Sequence, residues 1–227
     1  MRKGCKFLAI SITMVFMLSG CLLKQNSSGK EKVENVHTER STDGAFMEIV
    51  QRSEQGNKVI ARYRTDLFGE SPVVTDYSVF FPESESSSGL LDIYKIDLHK
   101  GLIGKTEYQT CDDFFITPDE EIILVCKPLH TKDTNWGPII LPSIEVYNYE
   151  KKAMLVSYDT LALLSEDFYG GNVGFKYREK TNAVYITFSL DAFGNYGMAY
   201  IDLNTLKLVW VTKQPLTNEQ KEEYYTY

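Results

Sequence analysis

Hydrophobic positions along the chain fall into one long run followed by a series of short ones. The run, Phe7 to Leu18, is 12 residues long and is interrupted only by Ser11 and Thr13. A helix of that length spans roughly 18 Å, against about 30 Å for a bilayer core, so the pattern predicts a processing segment and not a stable transmembrane helix. From Leu22 to about Gly44 the chain is polar and poor in aromatics, as in Lys24-Gln25-Asn26-Ser27-Ser28-Gly29-Lys30-Glu31-Lys32. Such a stretch has too little apolar surface to fold alone and reads as a flexible tether, with an r.m.s. reach on the order of 25 Å.

From about residue 45 the pattern becomes that of strands. Phe46–Arg52 and Lys58–Arg64 flank Glu54-Gln55-Gly56-Asn57, a hairpin signal. Val73–Phe81 follows, then a serine-rich acidic loop around Glu83–Gly89. Further strands are predicted at Leu91–Leu98, Leu102–Tyr108, Asp113–Thr117, Ile122–Lys127, Ser143–Tyr149, Ala153–Tyr158, Val173–Tyr177, Ala183–Ser189, Met198–Leu203 and Lys207–Thr212. Helix signals are few. Leu161, Leu164 and Phe168 would share one face of a short helix over 160–168, and Thr217-Asn218-Glu219-Gln220 has the form of a capping box opening a last helix over 217–225. The fold class is therefore mainly β, built of antiparallel sheets in one domain over residues 45–227.

Three segments share one shape: Ile93-Tyr94-Lys95-Ile96-Asp97-Leu98, Ile144-Glu145-Val146-Tyr147-Asn148-Tyr149 and Met198-Ala199-Tyr200-Ile201-Asp202-Leu203. Each is a strand ending in Asp or Asn plus an apolar residue, then a polar turn and a returning strand. The Asp or Asn side chain is placed to cap the turn by accepting backbone N–H groups. With a preceding hairpin such as Phe114–Val125, which turns at Pro118-Asp119, residues 73–212 resemble the blades of bacterial β-propellers. The resemblance implies an incomplete propeller-like arrangement. An antiparallel sandwich or barrel with generic turn chemistry remains the other reading of the same hairpins.

The ends of the apolar run locate the protein. Arg2, Lys3 and Lys6 precede it, and Leu18-Ser19-Gly20-Cys21 closes it. This stretch resembles the signal peptide and lipobox of bacterial lipoproteins. The resemblance implies removal of residues 1–20, a diacylglyceryl group and palmitate on Cys21, and residues 21–44 as lipidated cysteine and tether. The expected location is the extracytoplasmic face of the cell membrane, with the lipid on Cys21 as the membrane partner. Acylation adds about 0.8 kcal/mol per buried methylene, so two chains or more hold stably.

Charge then narrows the partners. The whole chain has 24 Lys+Arg and 31 Asp+Glu; without Arg2, Lys3 and Lys6 the balance is 21 against 31, near −10. That argues against nucleic acid, which needs a basic surface. Cys111 and Cys126 remain after the anchor, flanking a hairpin, and either a disulfide or two reduced thiols fits their spacing. No histidine or further cysteine has metal-ligand spacing near them, so no metal and no cofactor is expected. His130 and Trp136 lie in a proline-rich segment, Pro128 to Pro142, read as a long loop that could bind a ligand. Nucleophile elbow, phosphate loop and dinucleotide motifs are lacking. The expected function is a non-catalytic binding or accessory role toward an unknown protein or small molecule. The alternatives are an envelope hydrolase using carboxylates such as Asp112, Asp113, Asp191 or Asp202, and an immunity or sensor lipoprotein.

Overall fold

The computed structural model describes residues 31–42, 46–64, 72–83, 89–134, 137–160, 173–189 and 195–226. Among them four antiparallel sheets follow one another along the chain. Sheet I is β1 (Val36–Arg40), β2 (Phe46–Ser53) and β3 (Gly56–Arg64). Sheet II is β4 (Val73–Val74), β5 (Ser78–Glu83), β6 (Leu91–Asp97) and β7 (Ile103–Thr110). Sheet III is β8 (Phe114–Ile116), β9 (Ile122–Thr134), β10 (Gly137–Asn148) and β11 (Ala153–Asp159). Sheet IV is β12 (Val173–Arg178), β13 (Ala183–Ser189), β14 (Tyr196–Asp202) and β15 (Lys207–Thr212), and the helix α1 (Asn218–Thr226) comes last.

Every sheet is a meander in which each strand pairs with the next in sequence. The period of two then decides the packing, because successive side chains leave opposite faces of a strand. On β5, Val79 and Phe81 join Ile49 and Tyr63 of sheet I, while Phe80 between them joins Phe114 and Ile123 of sheet III. On β9, Ile123 and Val125 face that second core, while Leu124 and Cys126 join Val184, Ile186 and Ala199 of sheet IV. β5 and β9 are thus apolar on both faces, which explains the near-continuous hydrophobic runs Val79–Pro82 and Ile122–Cys126. Stacked meanders, here one of three strands and three of four, each packed on the next, are the arrangement of propeller blades, and no sheet among the described residues closes into a barrel. The mainly β, propeller-like expectation holds.

The predicted turn caps are present. Asp97 Oδ1 accepts the N–H groups of His99 (2.9 Å) and Lys100 (3.0 Å), Asn148 Oδ1 that of Lys151 (2.8 Å), and Asp202 Oδ1 that of Asn204 (2.8 Å). The capping box also forms: Thr217 N–H donates to Gln220 Oε1 (3.0 Å) and Gln220 N–H to Thr217 Oγ1 (3.2 Å).

Three expectations need correction. The tether does not run to Gly44, because β1 lies inside that stretch and pairs with β2, which supplies the partner a polar segment cannot find alone. Within the segment from Pro128 to Pro142, the described residues 128–134 and 137–142 are strand and not loop. There β9 and β10 pair as a hairpin arm in which Pro128 stands opposite Pro142 beside a register shift, where the missing N–H groups are tolerated. Val73–Phe81 is two strands, because Thr75 Oγ1 accepts the N–H of Ser78 (2.9 Å) and folds the chain between them. The helix expected over 160–168 falls, beyond Thr160, outside the described residues.

Candidate functional site

In a meander of this kind the first and third turns of each sheet lie at one end, and the chemistry gathers there. The turn between β8 and β9 closes with Glu120 N–H donating to Thr117 O (2.9 Å) and places Glu120 at φ 59°. That left-handed conformation is unfavourable for a residue with a side chain. It aims a carboxylate, 5% exposed, into the seam between sheets II and III. Glu120 Oε2 there meets Lys95 Nζ at 2.5 Å, and Glu120 Oε1 accepts a hydrogen bond from Thr75 Oγ1 at 2.7 Å. Lys95 stands opposite Phe80 in the β5–β6 register, so its ammonium lies 5.1 Å from the Phe80 ring centroid and 5.2 Å from that of Tyr149. Burial, reinforced by the Glu120 charge, pushes the Tyr149 hydroxyl well above the usual phenol range.

Two open clefts flank this ion pair. One, of about 490 Å³, is lined by Lys95, Leu102, Ile103, Lys105, Tyr149 and Lys152, among others. Its lysines are all paired: Lys95 with Glu120, Lys105 with the buried Asp92 at 2.6 Å, and Lys152 with Glu107. Lys105 and then Gln109 hold the Asp92 carboxyl below the usual range. Between these pairs Leu102 and Ile103 stand 64% and 51% exposed, an aliphatic patch in a charged frame. The second cleft, of about 510 Å³, takes residues from all four sheets or their lead-ins: Lys32 and Asn35, Thr75 and Asp76, Pro118, and Glu179. Its wall is sewn together by Val33 N–H to Asp76 O and Asp76 N–H to Pro118 O, both 2.9 Å, and by Lys32 Nζ to Asp76 at 2.8 Å. Thr75 lines the second cleft while Lys95 and Tyr149 line the first, so the Thr75–Glu120–Lys95 chain is the partition between them. This geometry suits recognition of a ligand with apolar and ionic groups.

The residues singled out from sequence are scattered. Cys21, Trp136 and Asp191 lie outside the described residues. His130 sits on the hairpin arm, with its Nε2 3.0 Å from Asp159 Oδ2, and does not line either cleft. Cys111 and Cys126 are thiols against the core of sheets III and IV. Asp112 and Asp113 serve as backbone acceptors: Asp112 Oδ2 takes the N–H of Val173 (2.6 Å) and Asp113 Oδ2 that of Phe175 (3.1 Å). Burial raises the Asp112 carboxyl, opposed by the Val173 N–H. Asp202 caps its turn. No cluster of three or more His, Cys, Asp or Glu side chains fit for a metal occurs among the described residues. Glu120, Lys95 and Thr75 carry no sequence signal, since they meet only across 25 and 45 residues of chain.

The fold defines a protein of stacked β-meanders, and comparison adds solved structures of similar type. No family model and no curated protein matches the chain. TolB from Acinetobacter baumannii aligns at 17% identity and TM-score 0.43, covering 79% of this chain and 43% of that one. The β-propeller domain of the trilobed protease from Pyrococcus furiosus aligns at 10% identity and TM-score 0.44, over 79% of this chain and 53% of that one. An oligogalacturonate lyase in complex with manganese aligns at 10% identity and TM-score 0.47, over 80% and 54%. The chain spans about half the length of these structures.

Proposed function

We propose that this protein is a lipoprotein anchored through Cys21 to the extracytoplasmic face of a membrane, and that its domain binds a ligand or partner without catalysing a reaction. The observation that carries the reading is the sequence Leu18-Ser19-Gly20-Cys21 closing a basic-then-apolar leader. The ligand site is the turn end. Its cations are engaged by carboxylates and its most exposed apolar side chains, Leu102 and Ile103, face the first cleft, as a recognition surface requires. The hydrolase alternative is weakened by Asp112 and Asp113, whose carboxylates are occupied by backbone N–H groups.

Fractionation tests the anchor. Wild-type protein is expected in the membrane fraction with an acylated N-terminal cysteine, and Cys21→Ala is expected in the soluble fraction or as unprocessed precursor. A Cys21→Ala protein that is processed and still membrane-held refutes the anchor. In the same cells, Leu102→Glu should abolish the partner or ligand association of the wild type while leaving protein level unchanged; an unaffected association removes the cleft from the reading.

A further inference from the structure

Cys111 occupies the link between β7, the last strand of sheet II, and β8, the first of sheet III, whereas Cys126 lies within β9. The β8–β9 register pairs Phe114 with Val125 and, continued, would set Asp113 opposite Cys126. A bend at Cys111 and Asp112 changes this, and Cys111 N–H donates to Cys126 O at 2.8 Å. The bonded atoms are one and two covalent bonds from their Cα atoms, so the two Cα atoms lie no more than about 6.7 Å apart, inside the upper limit of roughly 6.8 Å that a disulfide spans. Both side chains join one hydrophobic cluster, Cys126 fully buried and Cys111 packed against it. Thr110 fixes the approach, its Oγ1 accepting the N–H of Cys126 at 3.1 Å and donating to Asp113 O at 2.9 Å.

We propose that Cys111 and Cys126 are an oxidisable pair that forms an intrachain disulfide locking the link between sheets II and III onto the middle of sheet III. The oxidant is a disulfide, either of a small thiol or of a dithiol oxidoreductase. One cysteine thiolate attacks it to give a mixed disulfide and releases one reduced thiol. The second cysteine then displaces the other, forming the Cys111–Cys126 bond. In total two S–H bonds are lost, one S–S bond forms, and the oxidant is reduced to two thiols.

Access sets when this happens. Burial pushes the Cys111 thiol up to about 11, so little thiolate is present at neutral pH, and Cys126 is out of reach of solvent. The bond therefore forms while the chain folds, and reductants act on it slowly once the core has closed.

The test uses the mature chain with Cys21→Ser, so that no other thiol is present, unfolded and refolded with oxidised and reduced glutathione. The expected product is about 2 Da lighter by intact mass and takes up no alkylating agent after denaturation, and its Tm is about 6–12 °C above that of the Cys111→Ser/Cys126→Ser protein. Two alkylated cysteines, or single glutathione adducts on a folded chain, overturn the proposal. This refolding result stands apart from export and lipidation, which only the fractionation of Cys21→Ala tests.

Discussion

At the turn end, Asp97, Asn148 and Asp202 accept N–H groups two or three residues ahead of them, in contact with water. At the junction of sheets III and IV, Asp112 and Asp113 accept N–H groups 61 and 62 residues away. Between the aspartates the side chain and the acceptor chemistry are alike, and the surroundings set the sign of the response. Burial pushes Asp97 up, but the N–H groups of Lys100 and His99 outweigh it and leave the carboxyl below its ordinary value. At Asp112 burial wins over the Val173 N–H, and the carboxyl lies above its ordinary value. Asp97 is stabilising as an ion, whereas burial disfavours the charge of Asp112.

The largest effect is expected where a charge is most enclosed. Glu120→Ala leaves Lys95 without its partner at the partition of the clefts and should lower stability by about 3–5 kcal/mol in urea unfolding. A loss under about 1 kcal/mol would place Glu120 with the water-exposed caps. Next, Asp112→Ala strips the acceptor from Val173 N–H and should cost about 1–3 kcal/mol. Asp112→Asn keeps an acceptor and removes the charge. Because the folded carboxyl is raised, its stabilising contribution is present below the unfolded pKa and lost as pH rises through the folded one. Unfolding free energy measured from pH 3 to 7 should therefore fall less with rising pH in Asp112→Asn than in the wild type. Asp97→Ala should give the smallest loss, about 1 kcal/mol at neutral pH, and that loss should vanish as pH falls through the lowered Asp97 value. If both aspartates responded to pH in one direction, burial would not be what separates them.

What could be read from sequence follows the same division between near and far. β13 and β15 occupy the predicted spans, and the three repeated Asp or Asn caps act on neighbours a few residues away, where spacing alone is informative. The strand β1 escaped because Val36-His37-Thr38-Glu39-Arg40 has a single apolar side chain and borrows its register from β2. The hairpin arm escaped because Pro128, Pro138 and Pro142 break the strand pattern, although pairing across the arm continues past them. The site was not legible at all: Thr75, Lys95 and Glu120 meet only after sheets II and III have packed, and nothing in their spacing announces it.

The unbroken meander order has a consequence for biogenesis. Each sheet is complete before the next begins, and each core joins a sheet to its immediate successor in the chain. A polypeptide threaded N-terminus first through a translocation pore would therefore deliver sheet I, then II, III and IV, each arriving beside a surface already waiting for it. Among the described residues, the apolar face of each sheet is covered by the sheet that follows it, which shortens the interval in which that face is exposed while aggregation competes with folding.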